Sequence, residues 1–389
     1  MHSLAWKKAE WRYTPRQNRL HAAMVISGMN FPRGIRITIE MRNALIASVF
    51  LIFSAFLHAQ SALDAIPPLQ YADLGDLKLE NGSVIHDCKI GYRTMGTLNA
   101  ARSNAVLFPT WLGGRSGDVA MNIGPAKFID STKYFVIVVD ALGNGVSCSP
   151  SNSTSQHGIA FPQFSIRDMV YSQYRLVTEK LHLTHLHAVA GLSMGGIQTF
   201  QWMVSYPTFM DMAVPIAGTP QLSSYDLELL SSEKKALESD PAYKNGKYIY
   251  PPQLPLVALI HDMNLSTPTF HVNHVTREDF PQYFENLITN GERSVDANNY
   301  LYQLEAILGH DIAHGSTIYD AASRIKAKVL IIVSAQDHMV NPIPALGFAK
   351  LIHAQTLVLD SDCGHMAPSC EIKTVSPAIA RFLSEPQTK

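Results

Sequence analysis

Residues 186–196 read LHAVAGLSMGG, and the prediction of the fold starts from them. The first five are mainly apolar, as expected for a strand buried on both faces of a parallel sheet. Residues 191–195, GLSMG, follow at once, and residues 196–205 have helical spacing that ends before Pro207. A G-x-S-x-G sequence between a strand and a helix is typical of a serine on a tight turn, where side chains in place of the glycines would crowd the strand and helix. Ser193 is therefore the predicted nucleophile.

Other short apolar runs are each followed by turn residues. Because they are apolar at consecutive positions, they too are typical of strands buried on both faces of a sheet. Helical spacing separates them, most clearly over residues 166–181. This alternation, together with the serine turn, predicts an α/β-hydrolase fold with a mostly parallel central sheet flanked by helices. The predicted strands are 105–108, 134–139, 186–190, 213–217, 329–333 and 356–359.

The alternation stops over residues 219–315. This stretch has polar helix-like sequence, prolines at 251, 252, 255, 268 and 281, and an amphipathic segment at 300–308. We expect a helical insertion that covers the active edge of the sheet as a lid, excluding water and shaping the pocket. Residues 62–218 and 316–389 then form the core. A separate helical domain would give the same sequence pattern.

The acid and the base follow the serine along the chain. A serine hydroxyl needs a base to remove its proton, and in this fold the order is serine, acid, histidine. Asp337 follows the predicted strand at 329–333, and His365 lies in the loop after the last strand, with room between them for one helix and one strand. Asp360 and Asp362 are alternative acids, but they lie close to His365 in the same loop. We therefore predict a triad of Ser193, Asp337 and His365.

An oxyanion hole needs two backbone N–H donors aimed at the developing negative charge. Met194, directly after the serine, is one predicted donor. The other is expected in the loop at 109–114, PTWLGG, which follows an early strand. We assign it to the Leu112 N–H, with Trp111 as the alternative; a plain Gly-Gly turn would give the same sequence.

Composition excludes one class of function. The 389 residues are 47% hydrophobic and 16% charged, with a formal net charge of −1. Since no basic surplus exists to neutralise phosphates, nucleic acid is not an expected partner. No organic cofactor or metal is expected either. His310 and His314 have the spacing of a metal-binding pair on a helix, but no third ligand stands out.

The N-terminal region resembles an export signal. From Met41 a charged residue is followed by an apolar run at 44–57 and then by small residues, the order of a secretory signal peptide. The run is shorter than the roughly 20 residues that span a bilayer. We expect a signal at about 41–61, a mature start at Ala62, no remaining membrane span, and a secreted or periplasmic protein. An uncleaved anchor is the alternative. Residues 1–40 are interpreted as lying upstream of the true start, or as a disordered tail.

Four cysteines permit two disulfides in an oxidising compartment. Cys363 and Cys370 lie on either side of His365, where a bridge would stiffen the histidine loop. Cys88 and Cys148 would form the other pair. Four free, buried thiols remain the alternative.

Several longer segments together resemble the homoserine O-acetyltransferase family of α/β-hydrolase-fold acyltransferases. They are NIGPAKFIDSTKYFVIVVDALGN, FPQFSIRDMVYSQYRLV, GLSMGGIQTFQWMVSYP and VDANNYLYQLEAI, in the family's order and over most of the chain from Tyr71. The resemblance implies the triad Ser193, Asp337 and His365, an acyl-enzyme intermediate with ping-pong chemistry, and a helical lid.

Two positions depart from that family. Its acyltransferases usually follow the histidine with an aspartate that holds the amino group of homoserine, and this chain has Met366 there. A lid arginine that binds the acceptor's carboxylate aligns with Leu259. A zwitterion needs both charges met in a dry pocket, so these replacements argue against homoserine. Trp111, Leu259 and Met366 are the predicted substrate-binding residues.

The expected export also argues against homoserine acetylation, because acetyl-CoA and homoserine are cytoplasmic metabolites. We therefore expect a secreted serine hydrolase that cleaves a small or medium acyl ester. The alternatives are an O-acyltransferase with a different acceptor and a non-catalytic binding protein on the same scaffold. A homodimer is left open.

Overall fold

One mixed sheet organises the part of the chain that the computed structural model describes, residues 66–290 and 295–386. Its eight strands lie in the order β1-β2-β4-β3-β5-β6-β7-β8. The pairs β1–β2 and β2–β4 are antiparallel, and all other neighbours are parallel. The strands are β1 Gln70–Lys78, β2 Val84–Met95, β3 Ala105–Pro109, β4 Phe135–Val139, β5 Leu186–Leu192, β6 Met210–Ile216, β7 Lys328–Ser334 and β8 Gln355–Leu359. The prediction of a mostly parallel sheet is confirmed.

Helices cover both faces of this sheet. They are α1 Ser116–Ala120, α2 Ile166–Arg175, α3 Met194–Ser205, α4 Ser224–Ser239, α5 Pro255–Leu265, α6 Pro268–His274, α7 Phe280–Asn290, α8 Ala297–Leu308, α9 Ile318–Arg324, α10 Pro342–Leu351, α11 Ala367–Cys370 and α12 Ile372–Leu383. Successive residues of β3 belong to different apolar clusters: Leu107 is in the cluster that contains Phe200 of α3, and Phe108 is in the cluster that contains Phe382 of α12. This alternation buries β3 between two helical layers.

The first two strands, β1 and β2, were not predicted from the sequence. Their side chains alternate between buried and exposed, because an antiparallel edge hairpin has one face toward solvent. Such strands contain no continuous apolar run. The sequence Asn81-Gly82 could have predicted the hairpin, because Asn-Gly is typical of tight hairpin turns, and Gly82 has a φ of 87°.

The predicted helix at 166–181 has two parts. An α-helix runs over Ile166–Arg175, and a π-helical turn continues it over Leu176–Lys180. The helix begins where Ser165 accepts a hydrogen bond from the Asp168 N–H and Asp168 accepts one from the Ser165 N–H.

Between β6 and β7, residues 219–315 form helices α4 to α8. Leu237, Val257 and Leu301 belong to a small apolar cluster that these helices share. Leu230 and Leu304, however, belong to the large cluster beside the sheet. The insertion therefore packs onto the core of the sheet.

The predicted upstream extension at 1–40, the signal peptide at 41–61 and the start at Ala62 lie outside the described residues. Within the ranges described, no helix has the length and apolar character needed to cross a membrane.

Two disulfides join the four cysteines. One connects Cys88 of β2 to Cys148, in the loop after β4. The other connects Cys363 to Cys370 and brackets the turn that carries His365. These are the two pairs proposed from the positions of the cysteines in the sequence.

Candidate active site

Ser193 lies between the end of β5 and the start of α3. Its backbone has a φ of 58° and a ψ of −123°, a conformation that costs a non-glycine residue about 1–3 kcal/mol. The surrounding backbone holds it there: the Ser193 N–H donates to the Ile216 carbonyl at 2.9 Å, and the Ile197 N–H donates to the Ser193 carbonyl at 2.9 Å. The turn thus presents the hydroxyl at the carboxyl edge of the sheet.

The glycines on either side of the serine allow the backbone to approach this closely. A Cβ on Gly191 would lie 2.3 Å from the Gly195 carbonyl oxygen. A Cβ on Gly195 would lie 2.5 Å from the Pro109 carbonyl oxygen, at the end of the neighbouring strand β3. Both obstacles are backbone atoms, so neither can rotate away.

We expect Gly195→Ala to lower the free energy of unfolding by roughly 1–3 kcal/mol or more, because the new methyl group overlaps the backbone of β3. Gly347→Ala is the matched control, since a Cβ on this exposed glycine of α10 meets nothing within 4 Å. That change should be neutral or stabilise by up to about 1 kcal/mol. Urea denaturation of both variants measures the difference, and equal stabilities would contradict the close approach at Gly195.

The structure brings Ser193, His365 and Asp337 into one hydrogen-bonded chain. His365 Nε2 lies 2.8 Å from Ser193 Oγ, and His365 Nδ1 lies 2.7 Å from Asp337 Oδ2. The Met339 and Val340 N–H groups both donate to Asp337 Oδ1 at 2.9 Å, which fixes the carboxylate in place. Asp337 is 4% exposed and His365 is 5% exposed. A buried carboxylate that accepts from Nδ1–H leaves Nε2 as the acceptor for the serine proton.

The two alternative acids have other partners. Asp360 Oδ1 lies 3.5 Å from Gln336 Nε2, and Asp362 Oδ2 lies 3.5 Å from Asn273 Nδ2. The Asp362 carbonyl accepts from the Thr267 hydroxyl at 2.7 Å, which ties the histidine loop to the start of α6. Asp337 is the carboxylate that contacts His365.

The loop at 109–114 crosses the same edge of the sheet. Three of its N–H groups are already used: Thr110 donates to Val139 at 3.1 Å, Gly113 to Gln303 Oε1 at 2.9 Å and Gly114 to Trp111 at 3.0 Å. The two amides that remain in this loop belong to Trp111 and Leu112, the two residues named from the sequence. Met194, the other predicted donor, is the first residue of α3, where helical N–H groups lack intrahelical acceptors.

Two buried glutamines that were not predicted from the sequence hold this loop. Gln198 of α3 donates to the Thr110 carbonyl at 3.0 Å. Gln303 of α8 accepts from Gly113 and donates to the Leu142 carbonyl at 2.8 Å. Gln303 lies 190 residues after Gly113 in the sequence. The one sequence feature that could have pointed to it was its position in VDANNYLYQLEAI, a segment that resembles the acyltransferase family.

A cavity of about 510 Å³ opens beside the loop, between residues 111–115 and helix α5. Trp111 and Leu112 contribute to its wall. Leu259 is partly buried on α5 and is not one of the lining residues, although Ala258 is. Met366, next to His365, is 43% exposed. The lining residues of α5 and the rest of the insertion are Pro252, Leu254, Val257, Ala258, His261, Asp262, Leu265, Leu287, Val295 and Tyr300.

Over the described ranges, no group of three or more His, Cys, Asp or Glu side chains is placed to hold a metal ion. The His310 and His314 side chains have different surroundings. His310 is buried, whereas the exposed His314 pairs with Glu80 at 2.8 Å. Burial, helped by the nearby Arg167 cation, lowers the pKa of His310 to about 3, against the effect of a hydrogen bond with the Thr219 backbone.

This buried histidine predicts sensitivity to acid. The folded pKa of about 3 lies below the ordinary 6.5, so the unfolded chain binds the proton first as the pH falls. The contribution of His310 to stability is therefore complete above pH 6.5 and is lost progressively down to about pH 3, by up to about 1.4 kcal/mol per pH unit. In urea denaturation at a series of pH values, with disulfides intact, His310→Leu should flatten this decline. The control His314→Asn should keep the wild-type slope, and equal slopes for all three proteins would contradict the assignment.

Comparison with known proteins places the chain among esterases and acyltransferases. A sequence family described as alpha/beta hydrolase fold matches residues 106–369. A probable esterase of Corynebacterium glutamicum is 40% identical over 185 residues, covering 46% of this chain and 53% of that protein, so the match spans about half the length of that relative. A homoserine O-acetyltransferase of Methanosphaerula palustris is 31% identical over 349 residues, covering 79% of this chain and 71% of the relative.

A solved structure agrees with these sequence matches. The acetyl esterase MekB is 29% identical and superimposes with a TM-score of 0.77 over 82% of this chain and 98% of the other. These likenesses identify an enzyme of the ester-hydrolase or acyltransferase type. The chain belongs to the α/β-hydrolase fold family and, within it, to the homoserine O-acetyltransferase-like group that also contains esterases.

Proposed function

We propose that the protein is a secreted serine hydrolase that cleaves small or medium acyl esters, acetyl esters among them, through an acyl-enzyme on Ser193. The observation that carries this proposal is the hydrogen-bonded chain from Asp337 through His365 to Ser193. A serine, a base and a buried carboxylate in this geometry form the constellation of nucleophilic acyl transfer.

The first half of the reaction forms the acyl-enzyme. Ser193 Oγ attacks the ester carbonyl while His365 Nε2 takes its proton, and Asp337 stabilises the resulting imidazolium. The carbonyl oxygen gains negative charge and is stabilised by the N–H groups of Met194 and Leu112. The imidazolium then donates its proton to the departing alcohol oxygen, which leaves the acyl group on Ser193.

The second half releases the acid. Water takes the position of the alcohol, His365 removes a proton from it, and the hydroxide attacks the acyl carbonyl. Collapse of the second tetrahedral intermediate returns the proton to Ser193. A hydrolase and an acyltransferase share every step except the identity of this second nucleophile.

Three observations favour water as that nucleophile. The family resemblance puts Met366, next to His365, where acyltransferases of the family usually carry an aspartate that holds the amino group of homoserine, so a zwitterionic acceptor would lose that partner. Leu259, aligned with the lid arginine, does not line the cavity and adds no support. One relative of similar sequence is a probable esterase, and a solved structure of similar fold is an acetyl esterase. The likeness to a homoserine O-acetyltransferase keeps an acyltransferase with a different acceptor as the second candidate.

Export to a secreted or periplasmic location is part of the proposal. The pattern of charged, apolar and small residues at 41–61 supports it. The two disulfides, Cys88–Cys148 and Cys363–Cys370, support it independently, because disulfides persist in oxidising compartments.

The partition of the acyl group tests the proposal. Protein beginning at Ala62 is given p-nitrophenyl acetate with and without millimolar homoserine, and mass spectrometry identifies the acetylated product. We expect free acetate alone under both conditions. Formation of O-acetylhomoserine would establish an acyltransferase instead, and the absence of turnover with any acyl ester would favour the non-catalytic binding protein.

A further inference from the structure

Behind one wall of the cavity lies a carboxylate with two side-chain partners. Glu233 of α4 is 0% exposed, its Oε1 lies 3.1 Å from His261 Nδ1 of α5, and its Oε2 accepts from the Tyr300 hydroxyl of α8 at 2.7 Å. Tyr300 Oη also lies 3.4 Å from His261 Nδ1. Burial and the neighbouring Glu233 raise the pKa of Tyr300 well above its usual value, so it remains a hydroxyl donor. We name these three residues the Glu233 cluster.

The cluster fixes which ring nitrogen of His261 is available to a ligand. Because the Glu233 carboxylate accepts from Nδ1–H, the neutral ring keeps Nε2 as a hydrogen-bond acceptor. The His261 side chain is 30% exposed and, like Tyr300, forms part of the cavity wall. The cavity therefore has one oriented acceptor on this wall.

The rest of the wall also favours a hydrogen-bond donor. Its carboxylates are Asp262, whose Oδ2 accepts from Tyr283 at 2.6 Å, and Asp118. Among the described residues that line the cavity, the one arginine or lysine is the exposed Arg115. The remaining lining residues from the insertion are mainly apolar. A neutral polar group that donates a hydrogen bond thus matches this wall better than an anion does.

One residue of the cavity lining, Leu265, lies next to the turn that carries His365. Helix α5 ends at Leu265, and a Cβ on Gly364 would lie 3.0 Å from the Cα of the following residue, Ser266. His365 directly follows Gly364. Since His365 gives its proton to the departing alcohol, the alcohol part of the ester lies on the histidine side of Ser193.

We propose that the Glu233 cluster is a specificity site that accepts a hydrogen bond, through His261 Nε2, from a hydroxyl group on the alcohol part of the ester. This inference rests on the proposed hydrolase function and narrows its substrates to monoesters of hydroxylated alcohols. The apolar residues of the same wall contact the carbon chain between the ester and that hydroxyl.

Matched acetate esters test the proposal. For spacers from ethyl to hexyl, kcat/KM is measured for the ω-hydroxyalkyl acetate, for the analogue with methyl in place of hydroxyl, and for the ω-methoxy analogue. At the best spacer, wild type should prefer the hydroxyl ester about tenfold over both analogues, the value of one well-placed hydrogen bond. His261→Leu should reduce that preference to near unity. His274→Leu, the same change at an exposed residue of α6, should keep it.

Glu233→Gln gives a second variant that preserves side-chain volume. Tyr300 can still donate to the amide oxygen, while the amide NH₂ faces His261 Nδ1 and forces the proton onto Nε2. The methoxy group can accept a hydrogen bond but cannot donate one. In this variant, kcat/KM for the methoxy ester should therefore rise relative to kcat/KM for the hydroxyl ester. The specificity proposal would be overturned if wild type hydrolysed acetates with no preference for the hydroxyl ester, or if both variants kept the wild-type preference. Either result would leave the proposed hydrolase function intact. Failure of wild type to hydrolyse any acetate would overturn the proposed function.

Discussion

Replacement of Ser193 by alanine should abolish ester hydrolysis, with a fall in kcat of at least about 10⁴-fold, and should abolish covalent labelling by an organophosphonate. The hydroxyl of Ser193 lies 2.8 Å from His365 Nε2, and alanine at this position leaves the base with no nucleophile to activate. The serine side chain makes no contact that the turn requires, because the turn is held by backbone hydrogen bonds to Ile216 and Ile197. Stability should therefore be nearly unchanged. Steady-state kinetics and intact-protein mass spectrometry after labelling measure the two losses.

Ser232→Ala supplies the control for this experiment. Ser232 is an exposed serine of α4 whose hydroxyl donates to the Glu228 carbonyl, far from the histidine chain. This variant should keep wild-type turnover and labelling. Labelling that persisted in Ser193→Ala would show that another residue is the nucleophile.

The second large effect is expected for Asp337→Asn, with a fall in kcat on the order of 10⁴-fold. The Met339 and Val340 N–H groups donate to Asp337 Oδ1, and the asparagine oxygen can continue to accept from both. Its amide NH₂ then takes the place of Oδ2 and donates toward His365 Nδ1. That arrangement puts the histidine proton on Nε2, so the ring can no longer accept the proton of Ser193.

Asp360→Asn and Asp362→Asn are the matched controls, because they make the same change at the two other carboxylates near His365. Both should retain activity within a few-fold of wild type. Activity of Asp337→Asn close to wild type, combined with a large loss in either control, would transfer the role of the acid to the histidine loop. Circular dichroism of all three variants separates loss of chemistry from loss of fold.

The sequence revealed those features that depend on consecutive residues. Each strand predicted from a continuous apolar run coincides with an observed strand. For β3 to β7 the run reflects burial on both faces, but the expectation of such burial was wrong for β8, an edge strand whose residues are mostly exposed. The turn around Ser193 was visible because its glycines must be neighbours of the serine. The positions of Asp337 and His365 followed from the ends of predicted strands, and the structure places both side chains within hydrogen-bonding range of each other.

Features that depend on contacts between distant segments were not predicted. The hydrogen bond between Gln303 and Gly113 joins a helix to the loop after β3, and the contact of Glu233 with His261 joins two helices of the insertion. No spacing in the sequence encodes such a contact, since it depends on how the helices of the insertion pack against one another. The hairpin of β1 and β2 was missed for a different reason: its alternation of buried and exposed residues is weaker than the runs of the central strands.

Trapping the acyl-enzyme shows directly which residue is the nucleophile. Wild-type protein is mixed rapidly with p-nitrophenyl acetate, the early release of p-nitrophenolate is followed by stopped flow, and the acid-quenched protein is digested and examined by mass spectrometry. Because p-nitrophenolate is a good leaving group, acylation should be faster than hydrolysis of the acyl-enzyme, and we expect a burst of about one equivalent per active site with the acetyl group on Ser193. Steady turnover with neither a burst nor an acetylated peptide, or an acetyl group on another residue, would contradict this assignment.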